Sequence, residues 1–470
     1  MGRTVVAEDS LQDKLTALAK AGIFQIGLVI GQNAKDRDFI VHLAPTPIPD
    51  EGDLSSEEEE AIPSSKTGQA KPKYPDSIAK VVDTNVSQHT RQVVRMLPGG
   101  LDIIGIYVVT PQAEFSSSVS QSKLRSVLTV THKTASRILL DTAEIRTEKI
   151  IIHVCTQTFK VMCKTVDVCP SAPSLQSNAE LKFQRGGIKW QQLSFSYNIN
   201  LNFWLPKDNS SHSLYKTILT LIKPWANNVK ESLILIDSEL PNDEDPLDSS
   251  ADEKPKKKGS SRGMMELAPP KVFKAEILDS GSPVASTRGL TESSGCVRLS
   301  GTLAGLAFVH SKATVGEARS AVLVDLVRSV MARWEMHCDS LIEEPPSHLT
   351  GPIIHEPPRR VFLEGGGLPV SLCDYLFPGD TCADACQSAK ELLGVRVRKE
   401  HVDDTLETHA DASEVMDMSN ADAEGVKHLD GNGSSREQSC SVTYILLAIV
   451  IALVGIGVSY ITFRGTKALT

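Results

Sequence analysis

Two pairs of side chains in this 470-residue sequence hold the ingredients of thiol chemistry: His153 with Cys155, and His337 with Cys338. A cysteine nucleophile needs a base within hydrogen-bond reach and a third group to orient that base. Residues two apart on a strand share a face and adjacent residues diverge, and neither pair comes with an orienting group. With twelve histidines and nine cysteines, some adjacency is expected by chance. No C-x-x-C occurs; Cys382 and Cys386 sit four apart in a helical stretch, and Cys155, Cys163 and Cys169 lie along apolar ones. Reduced, mostly buried thiols are the expectation. The glycines at 365–367 are expected to form a turn, because no G-x-x-x-x-G-K-[ST] phosphate loop is present. No residue is assigned a catalytic, cofactor-binding or metal-binding role.

The elements that would position these residues follow from periodicity. Leu11, Leu15, Leu18 and Ala19 have helical spacing, and GIFQIGLVIG at 22–31 with residues 38–43 predicts a β-hairpin. Residues 50–75 are acidic and serine-rich and are expected to form a mobile loop. A helix over 86–96 should stop at LPGG, 97–100, ahead of a buried strand over 101–109. A helix over 122–141 and strands over 149–156 and 159–168 come next. The clearest alternation is Leu193, Phe195, Tyr197, Ile199, Leu201 and Phe203 against Ser and Asn. Helical pieces at 214–222 and 225–235, broken by Pro224, are expected to close a first domain spanning 1–236.

Residues 237–263, acidic and then basic around Lys254 and Lys258, are expected to be a disordered linker. A second α+β domain is expected over 264–398. It has strands over 272–278 and 296–309 and a long helix opened by a Thr314/Glu317 capping box. Residues 399–441 are acidic and are expected to be a flexible tether. The last apolar stretch, VTYILLAIVIALVGIGVSYITF from Val442 to Phe463, carries no charge. As a helix it would span about 33 Å, enough for the roughly 30 Å hydrocarbon core of a bilayer. Ala448, Ala452, Gly455 and Ser459 fall on one face of it. The first twenty residues contain no apolar signal core, so a tail-anchored arrangement with the body in the cytosol is expected. The fold class is therefore α/β of the α+β kind, with one C-terminal membrane helix. Net charge of -9 argues against nucleic acid as a partner.

The order of helix, hairpin with a GLVIG core, proline-rich exit, helix, LPGG and a strand reading GIYVVTP resembles the MPN fold of the JAMM isopeptidases. In active members that strand reads roughly G-W-Y-H-S-H-P and S-x-x-D follows. The two histidines and the aspartate bind zinc, and a glutamate on the first hairpin strand acts as base. Gly105, Tyr107, Pro111 and Ser118 match this pattern. Val108 and Thr110 stand at the histidine positions, Gln121 at the aspartate position and Phe24 at the base position. A hydrolytic zinc needs three protein ligands and an open water position, and valine has no donor atom. The resemblance thus implies a metal-free MPN-like domain without a cofactor.

GIFQIGLVIG, DFIVHLAPTP, LPGGLDIIGIYVVTP, LSFSYNINLNFWLP and the single C-terminal apolar segment resemble the odorant-response-abnormal-four family of receptor-trafficking factors over nearly the full length. That resemblance implies a non-catalytic adaptor at the endoplasmic reticulum membrane that assists folding, trafficking or surface localisation of some G-protein-coupled, seven-helix receptors. It also implies pairing with the ubiquitin-fold-modifier-specific cysteine protease, whose own non-catalytic part is MPN-like. The competing expectation is a membrane-anchored hydrolase that uses a thiol or a displaced metal site.

Overall fold

The computed structural model describes residues 3–48, 75–141, 143, 146–171, 176–206, 214–248, 270–279, 293–343 and 357–408. All of them belong to one compact unit, Met1–Pro346 with Glu356–Thr408. The expected acidic loop, the Lys254 to Lys258 cluster and the expected span with Val442, Ala448, Ala452, Gly455, Ser459 and Phe463 lie outside the described residues. Among the described residues, no helix is long and apolar enough to cross a membrane.

Strand β1 (Thr4–Glu8) leads into helix α1 (Asp9–Ala21) and the hairpin β2 (Gln25–Asn33) and β3 (Arg37–Pro45). Helix α2 (Asp83–Arg95) precedes β4 (Asp102–Thr110), the short α3 (Gln112–Phe115) and α4 (Ser118–Arg137). Strands β5 (Glu148–Cys155), β6 (Val161–Asp167) and β7 (Ser177–Gln184) complete a closed barrel in the order β1-β3-β2-β4-β5-β6-β7. Alternation splits the barrel wall between two cores. Tyr107 and Val109 join Leu11, Leu15 and Ala19 of α1, whereas Ile106 and Val108 join the larger core with Val93 of α2 and Leu124 of α4. Each fully buried aliphatic side chain of this kind contributes about 1.5–3 kcal/mol.

Strand β8 (Trp190–Pro206) is followed by α5 (Leu214–Lys230), β9 (Leu233–Ile236), β10 (Lys271–Leu278), β11 (Ser293–His310) and α6 (Val315–Glu343). The second sheet runs β11-β8-β10-β9, and a third small sheet joins β12 (Arg359–Leu363), β13 (Leu372–Leu376) and, after α7 (Cys382–Leu393), β14 (Val402–Asp403). The Thr314/Glu317 box closes as expected, with Thr314 N–H on the Glu317 carboxylate at 3.0 Å and Glu317 N–H on the Thr314 hydroxyl at 3.3 Å.

The two-domain expectation differs from what is observed. Strand β8 pairs in antiparallel register with β11, Leu193 opposite Ala307 and Leu201 opposite Leu299, so residues assigned to separate domains share one sheet. Helix α6 lies in the common core, with Val322, Leu326 and Val330 buried and Trp334 beside Phe203 at 6.4 Å between ring centroids. The physical reason is that β8's apolar row needs a cover, and α5 and α6 pack against it.

Three local expectations are also corrected. Helix α5 continues through Pro224 as one element, and residues 233–236 form strand β9 rather than helix. The start of the expected linker is built into the fold: Leu247 is buried, its N–H donates to Ala313 O at 3.0 Å, and Asp243 pairs with Arg319. The start of the expected tether folds back as well, since β14 pairs with β12 and Glu407 is buried.

Candidate functional site

The four positions singled out by the MPN pattern meet at one end of the barrel wall, where β2 begins and β4 and β5 end. Val108 and Thr110 are two apart on β4 and both fully buried. Gln25 pairs with Val109, so Phe24, immediately before it, lies level with Thr110. Gln121 is in the first turn of α4 and its side-chain amide donates to the Phe115 carbonyl. Val108 packs in the apolar core with Ile106 and Leu124, and Phe24 packs against that core.

Thr110 holds the end together. Its hydroxyl donates to one Glu114 oxygen at 2.5 Å, and the other oxygen accepts the Ile78 N–H at 2.7 Å. Its carbonyl accepts from His153 Nε2 at 3.0 Å and from the Thr156 N–H at 3.4 Å. Donation to that carbonyl puts the proton of the neutral imidazole on Nε2 and leaves Nδ1, which is buried, without a hydrogen-bond partner. Burial pulls His153 below its ordinary value; the Thr110 carbonyl opposes that pull and the Lys164 ammonium adds to it. The imidazole stacks on Phe115 with centroids 4.0 Å apart. Glu114 escapes sequence reasoning because the MPN pattern has no signal at that position.

Cys155 ends β5 at the same place. Burial pushes its thiol up, but hydrogen bonds from the Thr158 side chain and the backbone N–H groups of Thr158, Gln157 and Gln112 outweigh that and hold it below its ordinary value. The Thr158 N–H is 3.5 Å from the sulfur. His153 directs its one donor to Thr110 and not to this thiol. In the second pair, Cys338 is buried in α6 and its thiol is pushed up to about 11 by burial and by Asp339 and Glu335. Cys382 and Cys386 are half-buried on α7 with both thiols raised, first by burial. Gly365, Gly366 and Gly367 all have φ between 64 and 83°, the left-handed turn that glycine permits.

The chemistry open to the barrel end follows from its donor atoms. Valine and phenylalanine offer none, the Thr110 hydroxyl is spent on Glu114, and the Gln121 amide is spent on Phe115. Among the described residues, no three His, Cys, Asp or Glu side chains converge to hold a metal ion.

The LPGG turn has a larger role than stopping a helix. Gly99 N–H donates to Leu306 O at 3.0 Å and to Asp325 Oδ1 at 2.8 Å, and Arg328 Nη1 donates to the carbonyls of Leu97, Pro98 and Leu101 at 3.0–3.1 Å. A Cβ at Gly99 would stand 2.1 Å from the Ala321 carbonyl oxygen, so only glycine fits against α6. This turn fastens the barrel to the second sheet.

Comparison with known proteins gives consistent results along the chain. The family model described as odorant response abnormal 4-like matches residues 27–404. The protein odr-4 homolog of Xenopus tropicalis is 27% identical over 414 residues, covering 86% of each chain. The odorant response abnormal protein 4 of Caenorhabditis elegans is 27% identical over 400 residues, covering 83% of this chain and 78% of that one. Among solved structures, the crystal structure of UfSP from C. elegans aligns with a TM-score of 0.39 at 7% identity, over 84% of this chain and 57% of that chain.

Proposed function

The chain belongs to the odorant response abnormal 4-like family, and from that premise we propose that it is a non-catalytic adaptor at the endoplasmic reticulum membrane. In this reading residues 442–463 anchor it, with the body in the cytosol. It recruits the ubiquitin-fold-modifier-specific cysteine protease and assists a subset of G-protein-coupled receptors in folding, trafficking or reaching the surface. The barrel is taken as a metal-free MPN-like domain.

The observation that carries the reading is the barrel end itself. Val108 and Thr110 in the wall, Phe24 just before β2 and Gln121 on α4 offer no ligand set and no base. Positions that the MPN pattern assigns to ligands and base, but whose side chains have no free donor atoms, suit binding rather than turnover. The uncharged stretch from Val442 to Phe463 supports the anchor by its length and composition.

The test mixes the full chain, kept soluble in a mild detergent, with the protease. Size-exclusion chromatography with light scattering and zinc analysis of the peak then reads the outcome. Co-elution without stoichiometric zinc is the expected result; separate elution, or zinc equimolar with the chain, would refute the reading. The second reading, a cryptic cysteine or metal-dependent hydrolase, draws on the Thr158 N–H that approaches the Cys155 sulfur at 3.5 Å and favours its thiolate, although the thiol is buried. Fast alkylation of Cys155 at neutral pH together with turnover of a modifier conjugate by the chain alone would favour it.

A further inference from the structure

We propose that the outward face of this same barrel end, at Ile23, Val119 and Phe159, is a docking surface for a protein partner that presents apolar side chains bordered by carboxylates. The proposal rests on the adaptor reading and names the surface that reading requires.

Large apolar side chains are exposed here in a group. Ile23 is 70% exposed, Val119 66% and Phe159 54%. The strand register brings them to one end: Ile23 lies just before β2, Phe159 is in the turn between β5 and β6, and Val119 opens α4 beyond the end of β4. Ile48, two residues past the last hydrogen bond of β3 to β2 at Thr46, is 52% exposed on the β2 side of the same end. Single exposed hydrophobics are ordinary on a soluble surface, but several gathered at one end of a barrel point to an interaction site.

Phe159 gives the strongest indication. The turn is closed by Cys155 N–H to Lys160 O and by Phe159 N–H to Cys155 O, both 3.0 Å, which places residue 159 at φ 57°. That left-handed conformation is disfavoured for a bulky side chain and is normally left to glycine or asparagine. The fold gains little from the ring, because more than half of it faces solvent. A strained residue that does not serve the core points to a use outside it.

Charge selects the partner. Lys20 and Lys160 are exposed beside Ile23 and Phe159, and Lys164 places its ammonium 5.1 Å from the centroid of the Phe115 ring. Of the described carboxylates near this end, Glu114 is turned inward to Thr110 and Ile78, and Asp76 is paired with Lys80 at 2.8 Å. An apolar face edged by lysines, on a chain of net charge -9, is complementary to an apolar face edged by aspartate or glutamate.

The full chain in mild detergent is titrated against the ubiquitin-fold-modifier-specific protease by biolayer interferometry. Ile23→Asp, Phe159→Asp and Lys160→Glu are each expected to weaken binding by about tenfold or more with the thermal midpoint unchanged. Phe159→Gly is expected to weaken binding while raising the midpoint, because glycine removes the left-handed strain; a merely misfolded variant would lose both. Wild-type affinity should fall as salt rises from about 50 to about 500 mM. Wild-type binding that all four variants retain would overturn the surface assignment and leave the adaptor reading standing. If the wild-type chain does not bind the protease, the adaptor reading fails and the assignment falls with it.

Discussion

Arg360 and Asp325 form a two-pronged ion pair in the core, with Nη1 to Oδ2 at 2.7 Å and Nη2 to Oδ1 at 2.8 Å, and neither side chain is more than 1% exposed. The same carboxylate accepts N–H groups from Gly99 and Leu306, so one side chain on α6 binds β12, β11 and the LPGG turn together. Asp325 therefore joins the barrel to both smaller sheets. Asp325→Ala would leave the Arg360 guanidinium buried without its counter-charge and take from the Gly99 and Leu306 N–H groups the acceptor they share. Breaking such a pair costs about 3–5 kcal/mol. A urea titration should show the midpoint falling accordingly with a single cooperative transition; a shift below about 1 kcal/mol would mean that this hub does not hold the sheets together.

Two buried histidines make the fold sensitive to acid. His42 Nε2 and His89 Nε2 donate to the carbonyls of Leu393 and Leu392, both at 2.7 Å, and so fasten the end of α7 to the barrel and to α2. Burial drives both down to about 4; for His42 the Lys14 ammonium adds to this and the Leu393 carbonyl opposes it, and for His89 only the Leu392 carbonyl opposes it. The unfolded chain binds these protons near 6.5, the folded chain only near 4. Stability present above pH 6.5 is thus lost as pH falls through that window, by roughly 3 kcal/mol per histidine at most. Asp374, pushed up to about 6 by burial, works in the opposite sense and favours the fold as pH drops below 6. Urea midpoints at about pH 7.5 and about pH 4.5 should differ strongly in an Asp374→Asn background and much less once His42→Gln and His89→Gln are added. Equal differences in the two backgrounds would remove the histidines from the account.

Local signals carried far in this chain and non-local ones did not. Helix α1 is visible in the spacing of Leu11, Leu15 and Ala19, and the alternation from Leu193 to Phe203 is β8 itself. The strand that ends in Val108 and Thr110 is β4 itself. What periodicity cannot reveal is which strand a strand pairs with, and β8 pairs about a hundred residues downstream with β11. Acidic runs mislead for a related reason. Asp243 and Glu407 sit in stretches that look solvated, yet each meets an arginine from α6, Arg319 and Arg333. Composition favours disorder for such runs only until a cation elsewhere in the chain binds them. Phe159 could not be singled out either, because backbone handedness leaves no trace in the identity of a non-glycine residue.

Glu407 ties the last described residues to the body. Its carboxylate accepts from the Arg333 guanidinium, from the Arg360 N–H at 2.7 Å and from the Ala304 N–H at 2.8 Å. Arg359 adds a hold on the Asp404 carbonyl at 2.6 Å. Residues 399–408 are therefore part of the body. Glu407→Ala leaves Arg333, itself 2% exposed, without a carboxylate and should cost about 3–5 kcal/mol in global stability. Glu407→Gln, which keeps an acceptor for the two N–H groups, should cost less. Limited trypsin digestion of the full chain reads the local consequence: cleavage at Arg396, Arg398 and Lys399 should accelerate in Glu407→Ala and only slightly in Glu407→Gln. If both variants are cut at the wild-type rate, Glu407 does not hold residues 399–408 to the body.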